Sequence, residues 1–170
     1  PGLGGHCIPI DPTYLSWKMK SLNFPARFIE LATEINSQMP YHVVRRVGDM
    51  LNEDRLAVNG SRVLLLGVAY KANVSDMRES PAIEIAELLA QKGAQLEYHD
   101  PHVPEFQVGS HTLKSVELSD EALAAADLVV ILTDHVAVDY DRVVARAQRV
   151  FDTRNATRAV AQGREKIRKL

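Results

Sequence analysis

The chain has 170 residues, the length of one ordinary domain or of a small domain with a helical extension. Its 20 Lys and Arg against 22 Asp and Glu leave a net charge of −2, which removes the electrostatic basis for broad binding to nucleic acid or anionic lipid. With 46% apolar and 25% charged residues it can bury a core, no apolar run approaches the roughly 18–20 residues that span a bilayer, and its single cysteine excludes a disulfide framework and a Cys-rich zinc site.

The chain opens at Pro1 with no initiator Met and no signal-peptide pattern, and so reads as a piece of something longer. Pro1–Pro12, PGLGGHCIPIDP, holds three glycines and three prolines in twelve residues and reads as an ordered loop. Residues 13–57 read as helical. Phe28, Leu31, Ile35, Met39, Val43, Val47 and Met50 recur every three or four positions, which places them on one face. Pro40 is expected to kink or divide this helix, because it has no N–H to donate to the preceding turn. The apolar stripe is longer than a small core needs. It suits either a partner helix from another chain or the chain's own domains.

From about Gly60 to Arg154, strands alternate with helices. Val63–Leu66 reads as a buried strand. Ser80-Pro81 supplies an N-cap and a proline at the first helical position, and that helix runs to Lys92 before Gly93 stops it. Gln95–His99 reads as a strand, and Ser119-Asp120 starts an Ala-rich helix leading to a strand at Leu128–Leu132. Asp139–Ala147 reads as a helix and Arg149–Asp152 as a strand. The alternation predicts an α/β fold, a Rossmann-like doubly wound parallel sheet preceded by a long helical segment. The tail, 156–170, reads as a solvated helix or frayed end.

Ligands of open α/β sheets sit outside the carboxyl ends of the strands. Lys71 and Arg78, in GVAYKANVSDMRES, and Arg154, in FDTRN, fall at that edge beside a helix N-terminus. Such a rim suits a phosphate or diphosphate, although surface cations are also common in loops. Gly67 after a strand and Asp100 at the end of the next look like half of a dinucleotide fingerprint, yet GVAYKAN lacks G-x-G-x-x-G. Asp100-Pro101 reads instead as the start of a turn. In the first zone, Cys7 is either a small buried hydrophobe or a thiol that the neighbouring glycines open to a ligand. Asp11, four residues on, is near enough to orient a water or the thiol. His6 adjoins Cys7 but is expected to point away from it. No spacing suggests a metal site.

At these motifs the chain resembles the UDP-glucose/GDP-mannose dehydrogenase family of nucleotide-sugar 6-dehydrogenases. GLGGHCIPIDP is similar to the family's active-site segment, RFIELATEIN with MPYHVVRRV to its central dimerisation helix, GVAYKANVSDMRESPA to its C-terminal signature and FDTRN to its closing motif. The resemblance covers Pro1 to about Asn155. It implies a domain order of a catalytic cysteine loop (1–12), a central helical segment (13–57), a UDP-sugar-binding α/β domain (60–155) and the tail. It further implies oxidation of a sugar C6 alcohol to a carboxylate with NAD, in a cytoplasmic homodimer that supplies surface-polysaccharide precursors. Cys7 is then the nucleophile that forms a thiohemiacetal and thioester, assisted by Asp11. Gly2, Leu3, Gly4, Tyr70, Lys71 and Arg154 contact the substrate, and Arg78 reaches NAD on another domain.

The closest branch by resemblance acts on UDP-N-acetylglucosamine. UDP-ManNAc, UDP-GalNAc and UDP-glucose are alternatives, although Ile10 stands where many UDP-glucose members carry Lys. The family's N-terminal Rossmann domain is not among these residues. Two further readings stay open: a nucleotide-binding and dimerisation module without catalysis, and a stand-alone thiol enzyme, for which no partner base is evident.

Overall fold

The computed structural model describes residues 1–170. Two helices come first, α1 (Asp11–Lys20) and α2 (Arg27–Glu53). There follow β1 (Arg62–Leu66), α3 (Pro81–Gln91), β2 (Gln95–His99), β3 (Glu105–Val108), β4 (His111–Lys114), α4 (Asp120–Ala125), β5 (Leu128–Ile131), α5 (Tyr140–Arg146), β6 (Val150–Asp152) and β7 (Ile167–Lys169). Five strands form one parallel sheet in the order β2-β1-β5-β6-β7. The expected α/β class is therefore observed, with helices on both faces.

Strand pleating divides the core. Val63 and Leu65 of β1 point into a cluster with Val43, Val47, Ile85 and Leu89, on the side of α2 and α3. Leu64 and Leu66 point the other way, into a cluster with Leu123, Val143 and Val144 beneath α4 and α5. The helix starts follow local chemistry. The Ser80 hydroxyl accepts from Ala82 N–H, the Ser119 hydroxyl from Ala122 N–H, and the Asp139 carboxylate from Arg142 N–H.

Four features differ from the sequence reading. The helical segment is broken at Ser21–Ala26, where Asn23 adopts φ +56° and Pro25 precedes the second helix. Pro40, expected to kink or divide the helix, leaves α2 continuous. It removes one donor, the amide that would reach the Asn36 carbonyl, while Val43, Val44 and Val47 hold the following turns in the core. Between β2 and α4 the chain forms an antiparallel hairpin, β3–β4, turning at Gly109 (φ +57°) and Ser110. Phe106 meets buried Tyr98 edge-on, with ring centroids 4.8 Å apart.

The fourth is the tail, which is not a frayed end. Ile167–Lys169 pairs with β6 as the edge strand of the sheet. Lys166 Nζ donates to the carbonyls of Val144, Ala145 and Ala147 at the end of α5, and Gly163 (φ +71°) lies against Val144. The α/β unit thus extends past residue 155.

The apolar stripe of α2 has two fates. Val43, Val47 and Met50 are buried in the core, whereas Phe28, Leu31 and Ile35 are exposed, as are Trp17 of α1 and Phe24 between the helices. Replacing Leu51, 1% exposed, with Ala should cost about 2–5 kcal/mol in urea unfolding. Phe28→Ala, at a position 89% exposed, should change the stability of the monomer by no more than about 0.5 kcal/mol. A comparable loss from Phe28→Ala would show that this half of the stripe packs within one chain.

Candidate functional site

The loop between β1 and α3, residues 67–80, leaves the carboxyl edge of the sheet and receives the cysteine loop. Gly5 N–H donates to the Arg78 carbonyl at 2.9 Å. A Cβ on Gly4 would run into the Glu79 carbonyl oxygen, and one on Gly5 would lie 2.7 Å from the Tyr70 ring. The glycines are therefore required for contact between two segments about seventy positions apart. Asn36 of α2 holds the next residue: its side chain accepts from Leu3 N–H at 2.6 Å and donates to the Leu3 carbonyl at 3.2 Å. Glu79 sits at φ +52°, a left-handed conformation uncommon outside glycine.

This docking brings the cysteine loop onto the backbone of Arg78. Cys7 is exposed, and the Arg78 pKa is raised chiefly by its hydrogen bonds to Asp76 and by the Asp76 charge. Arg78 donates from Nε and Nη2 to Asp76, with its Nη2 at 2.7 Å. Hydrogen bonds from the Arg78 side chain and backbone hold the Asp76 carboxyl below its ordinary range, and His6 adds to the effect. The Cys7 carbonyl accepts from the N–H groups of Ile10 and Asp11 and so turns the loop into α1. The Asp11 side chain is exposed and makes no hydrogen bond or ion pair within the chain.

Across the same rim, Arg154 follows β6. Buried Asp152 shapes this turn by accepting from the N–H groups of Arg154, Ala156 and Thr157 and from the Thr157 hydroxyl. The Arg154 side chain forms no salt bridge. With Thr153 and Lys169 it borders a cavity of about 430 Å³. Lys71 is exposed and unpaired. Of the three cations expected at the rim, Lys71 and Arg154 are unpaired and Arg78 is tethered to Asp76. A larger groove of about 900 Å³ lies behind the cysteine loop, between Leu3, Ile8, Phe28 and Pro81; Cys7, Lys71 and Arg154 do not line it.

The model of the UDP-glucose/GDP-mannose dehydrogenase family's UDP binding domain matches residues 64–159, and that of the family's central domain matches residues 1–38. The chain belongs to the UDP-glucose/GDP-mannose dehydrogenase family. Among curated relatives, it is 36% identical over 163 residues to UDP-N-acetyl-D-mannosamine dehydrogenase of Methanococcus maripaludis, covering 91% of this chain and 35% of that protein. It is 37% identical over 161 residues to NDP-N-acetyl-D-galactosaminuronic acid dehydrogenase of Ralstonia nicotianae, with the same coverage. The structure of UDP-D-ManNAc dehydrogenase from Pyrococcus horikoshii superposes with a TM-score of 0.80 at 25% identity, over 99% of this chain and 38% of that one. The chain therefore spans about a third of the length of the curated relatives it matches.

Within the family's sequence pattern, the structure brings Gly4 and Gly5, just before Cys7, against Tyr70, Arg78 and Glu79, with Leu3 clamped at the side. Gly2 lies against Pro81 and Met39, at the start of α3 and on α2. Asp11 is joined to Cys7 through backbone alone. Asn36 and Glu79 escaped the sequence reading. A single Asn on an amphipathic helix carries no signal of its role, and the left-handed Glu79 has no compositional mark.

Asp100, read as the start of a turn, does more than begin one. Its side chain is fully buried, and it accepts from the N–H groups of Val68 (2.7 Å) and Ala69 (3.2 Å) and from His135 Nε2 (3.1 Å). Burial alone would raise its pKa, but hydrogen bonds from His135, Val68 and His102 outweigh that and hold it at about 2. In a dinucleotide fold the acid at this strand end reads a ribose, and the first loop approaches a pyrophosphate. Here the two satisfy each other, so this sheet does not fit NAD.

Two outcomes test this geometry. Gly4→Ala should lift the cysteine loop from Glu79, seen as faster hydrogen exchange at the Gly5 amide; unchanged protection would refute the docking. Ionised Asp100 stabilises the fold above its ordinary value of about 3.8, and this contribution disappears as pH falls to about 2. The stability deficit of Asp100→Asn should accordingly be greatest near neutrality and shrink across that window in urea unfolding. A deficit independent of pH would contradict the assignment.

Proposed function

We propose that this chain is the substrate-binding and nucleophile-bearing part of an NAD-dependent nucleotide-sugar 6-dehydrogenase. The observation that carries the reading is the seating of the cysteine loop on the 67–80 loop, through the Gly5 N–H to Arg78 carbonyl bond and the close contacts of Gly4 and Gly5 with Glu79 and Tyr70. It brings a thiol, Tyr70 and a guanidinium to the edge of the sheet where ligands of such folds lie.

In this proposal Lys71 and Arg154 hold the diphosphate, and Tyr70 with the backbone of Gly2, Leu3 and Gly4 holds the nucleotide sugar. The Cys7 thiolate adds to the C6 aldehyde, giving a thiohemiacetal whose oxidised form is a thioester that water cleaves to the carboxylate. Asp11 positions that water. Arg78, which Asp76 tethers at the rim, contacts NAD. Since this sheet does not fit NAD, no hydride step is assigned to its residues.

The named relatives support an amino-sugar substrate. They favour UDP-N-acetyl-D-mannosamine, an alternative in the sequence reading, ahead of UDP-N-acetylglucosamine. Exposed Trp17, Phe28, Leu31 and Ile35 support the homodimer. No helix is long and apolar enough to cross a membrane; a cytoplasmic location belongs to the proposal and is inferred from the resemblance. For the chain by itself, the self-filled dinucleotide edge favours a second reading, a nucleotide-binding and dimerisation module without catalysis.

Calorimetry on the 170-residue chain tests both readings. UDP should bind, NAD should not, and Lys71→Ala with Arg154→Ala should weaken UDP binding by about tenfold or more. Appreciable NAD affinity, or UDP affinity untouched by the double substitution, would overturn the site. Beside an NAD domain, Cys7→Ala should abolish carboxylate formation; undiminished product would remove Cys7 from the chemistry.

A further inference from the structure

The segment that carries Tyr70 and Lys71 is tied down on both sides by groups with no role in the chemistry proposed above. Before it, the amides of Val68 and Ala69 donate to Asp100, and the Ala69 carbonyl accepts from the Thr133 hydroxyl at 2.6 Å. After it, Asn73 N–H donates to His135 Nδ1 at 3.0 Å, and the Asn73 side-chain oxygen accepts from Val136 N–H at 2.9 Å. Asp100 and His135 join these two anchors through a bond of 3.1 Å, both side chains fully buried.

The tautomer follows from the donors. A backbone N–H pointing at Nδ1 requires that nitrogen to carry a lone pair, so the proton of the neutral ring resides on Nε2 and is donated to Asp100. The imidazole thus serves as a bridge with one acceptor end and one donor end. Asp100 uses its second oxygen for the N–H groups of His102 and Val103. No buried side-chain polar atom in the chain lacks a partner. Apolar side chains could fill this volume but could not specify where the 67–73 backbone runs.

We propose that His135 and Asp100 are positioning residues for nucleotide-sugar binding. Through Val68, Ala69 and Asn73 they hold Tyr70 against the cysteine loop and keep Lys71 at the rim. The inference rests on the reading that this rim takes a nucleotide sugar. It adds that the acid and the histidine at the ends of β2 and β5 serve substrate recognition from inside the fold, without touching the ligand.

The test measures UDP affinity by calorimetry in the full 170-residue chain, alongside melting temperature. His135→Leu removes both ends of the bridge and should weaken UDP binding by about tenfold or more. His135→Gln presents an amide oxygen and an amide N–H at similar spacing and should stay within about threefold of wild type. Leu123→Ala, in the core on the other face of the sheet, should lower the melting temperature at least as much yet leave affinity within about twofold. Long-range proton–nitrogen spectra should show the His135 proton on Nε2. Should His135→Leu not fold, Asp100→Asn takes its place, replacing one accepting oxygen of the bridge by a donor, with an expected loss of about threefold or more. Wild-type affinity in His135→Leu or Asp100→Asn, an equal affinity loss in Leu123→Ala, or a proton on Nδ1 would overturn the proposal. A wild-type chain with no UDP affinity would overturn the nucleotide-sugar reading as well, which distinguishes the two failures.

Discussion

Everything at the rim depends on two backbones meeting where neither has a side chain in the way. Gly4 and Gly5 let the cysteine loop lie on Tyr70, Arg78 and Glu79, and a single amide-to-carbonyl bond from Gly5 to Arg78 sets their register. The surface of that contact is made by the 67–80 loop, so the position of Cys7 relative to the sheet is inherited from the loop. The loop is in turn held by buried polar groups. Rigidity therefore passes from the core to the thiol through a chain of specific hydrogen bonds, and α2 contributes Asn36 as a second clamp on Leu3.

The same bonds decide which edge of the sheet is filled and which is left open. A parallel sheet with a glycine after β1 and an acid after β2 has the groundwork of a dinucleotide site. In this chain the acid accepts the loop amides itself, and His135 lies fully buried beside it. Backbone donors that could face a pyrophosphate face inward. The cations left available, Lys71 and Arg154, lie outside that filled edge. The sheet satisfies its dinucleotide edge internally and leaves two cations unpaired at its margin.

Much of the fold was legible. Strands β1, β2, β5 and β6 and helices α3, α4 and α5 carry caps, glycine stops and apolar runs within a few residues, and each was read close to its observed place. The hairpin and the edge strand were not. Glu105–Val108 and His111–Lys114 are short and half polar, and Ile167–Lys169 offers three residues of which two are exposed. Such strands exist because a neighbour supplies their hydrogen bonds. Of the candidate site, Cys7, Tyr70, Lys71, Arg78 and Arg154 stand out as motif residues in the sequence, whereas Asn36 and His135 do not, since their partners lie 33 and 62 positions away.

By itself the sequence determined most of the element types, the α/β class and the motifs that mark the family, because caps, periodicity and short motifs are encoded over a few neighbouring residues. Tertiary structure alone decided which half of the α2 stripe is buried, that the tail closes the sheet, and that Asp100 is consumed by its own fold. It also decided that the cysteine loop rests on the signature loop. These outcomes depend on hydrogen bonds and packing between distant segments, whose partners are defined only once the chain has closed around its core.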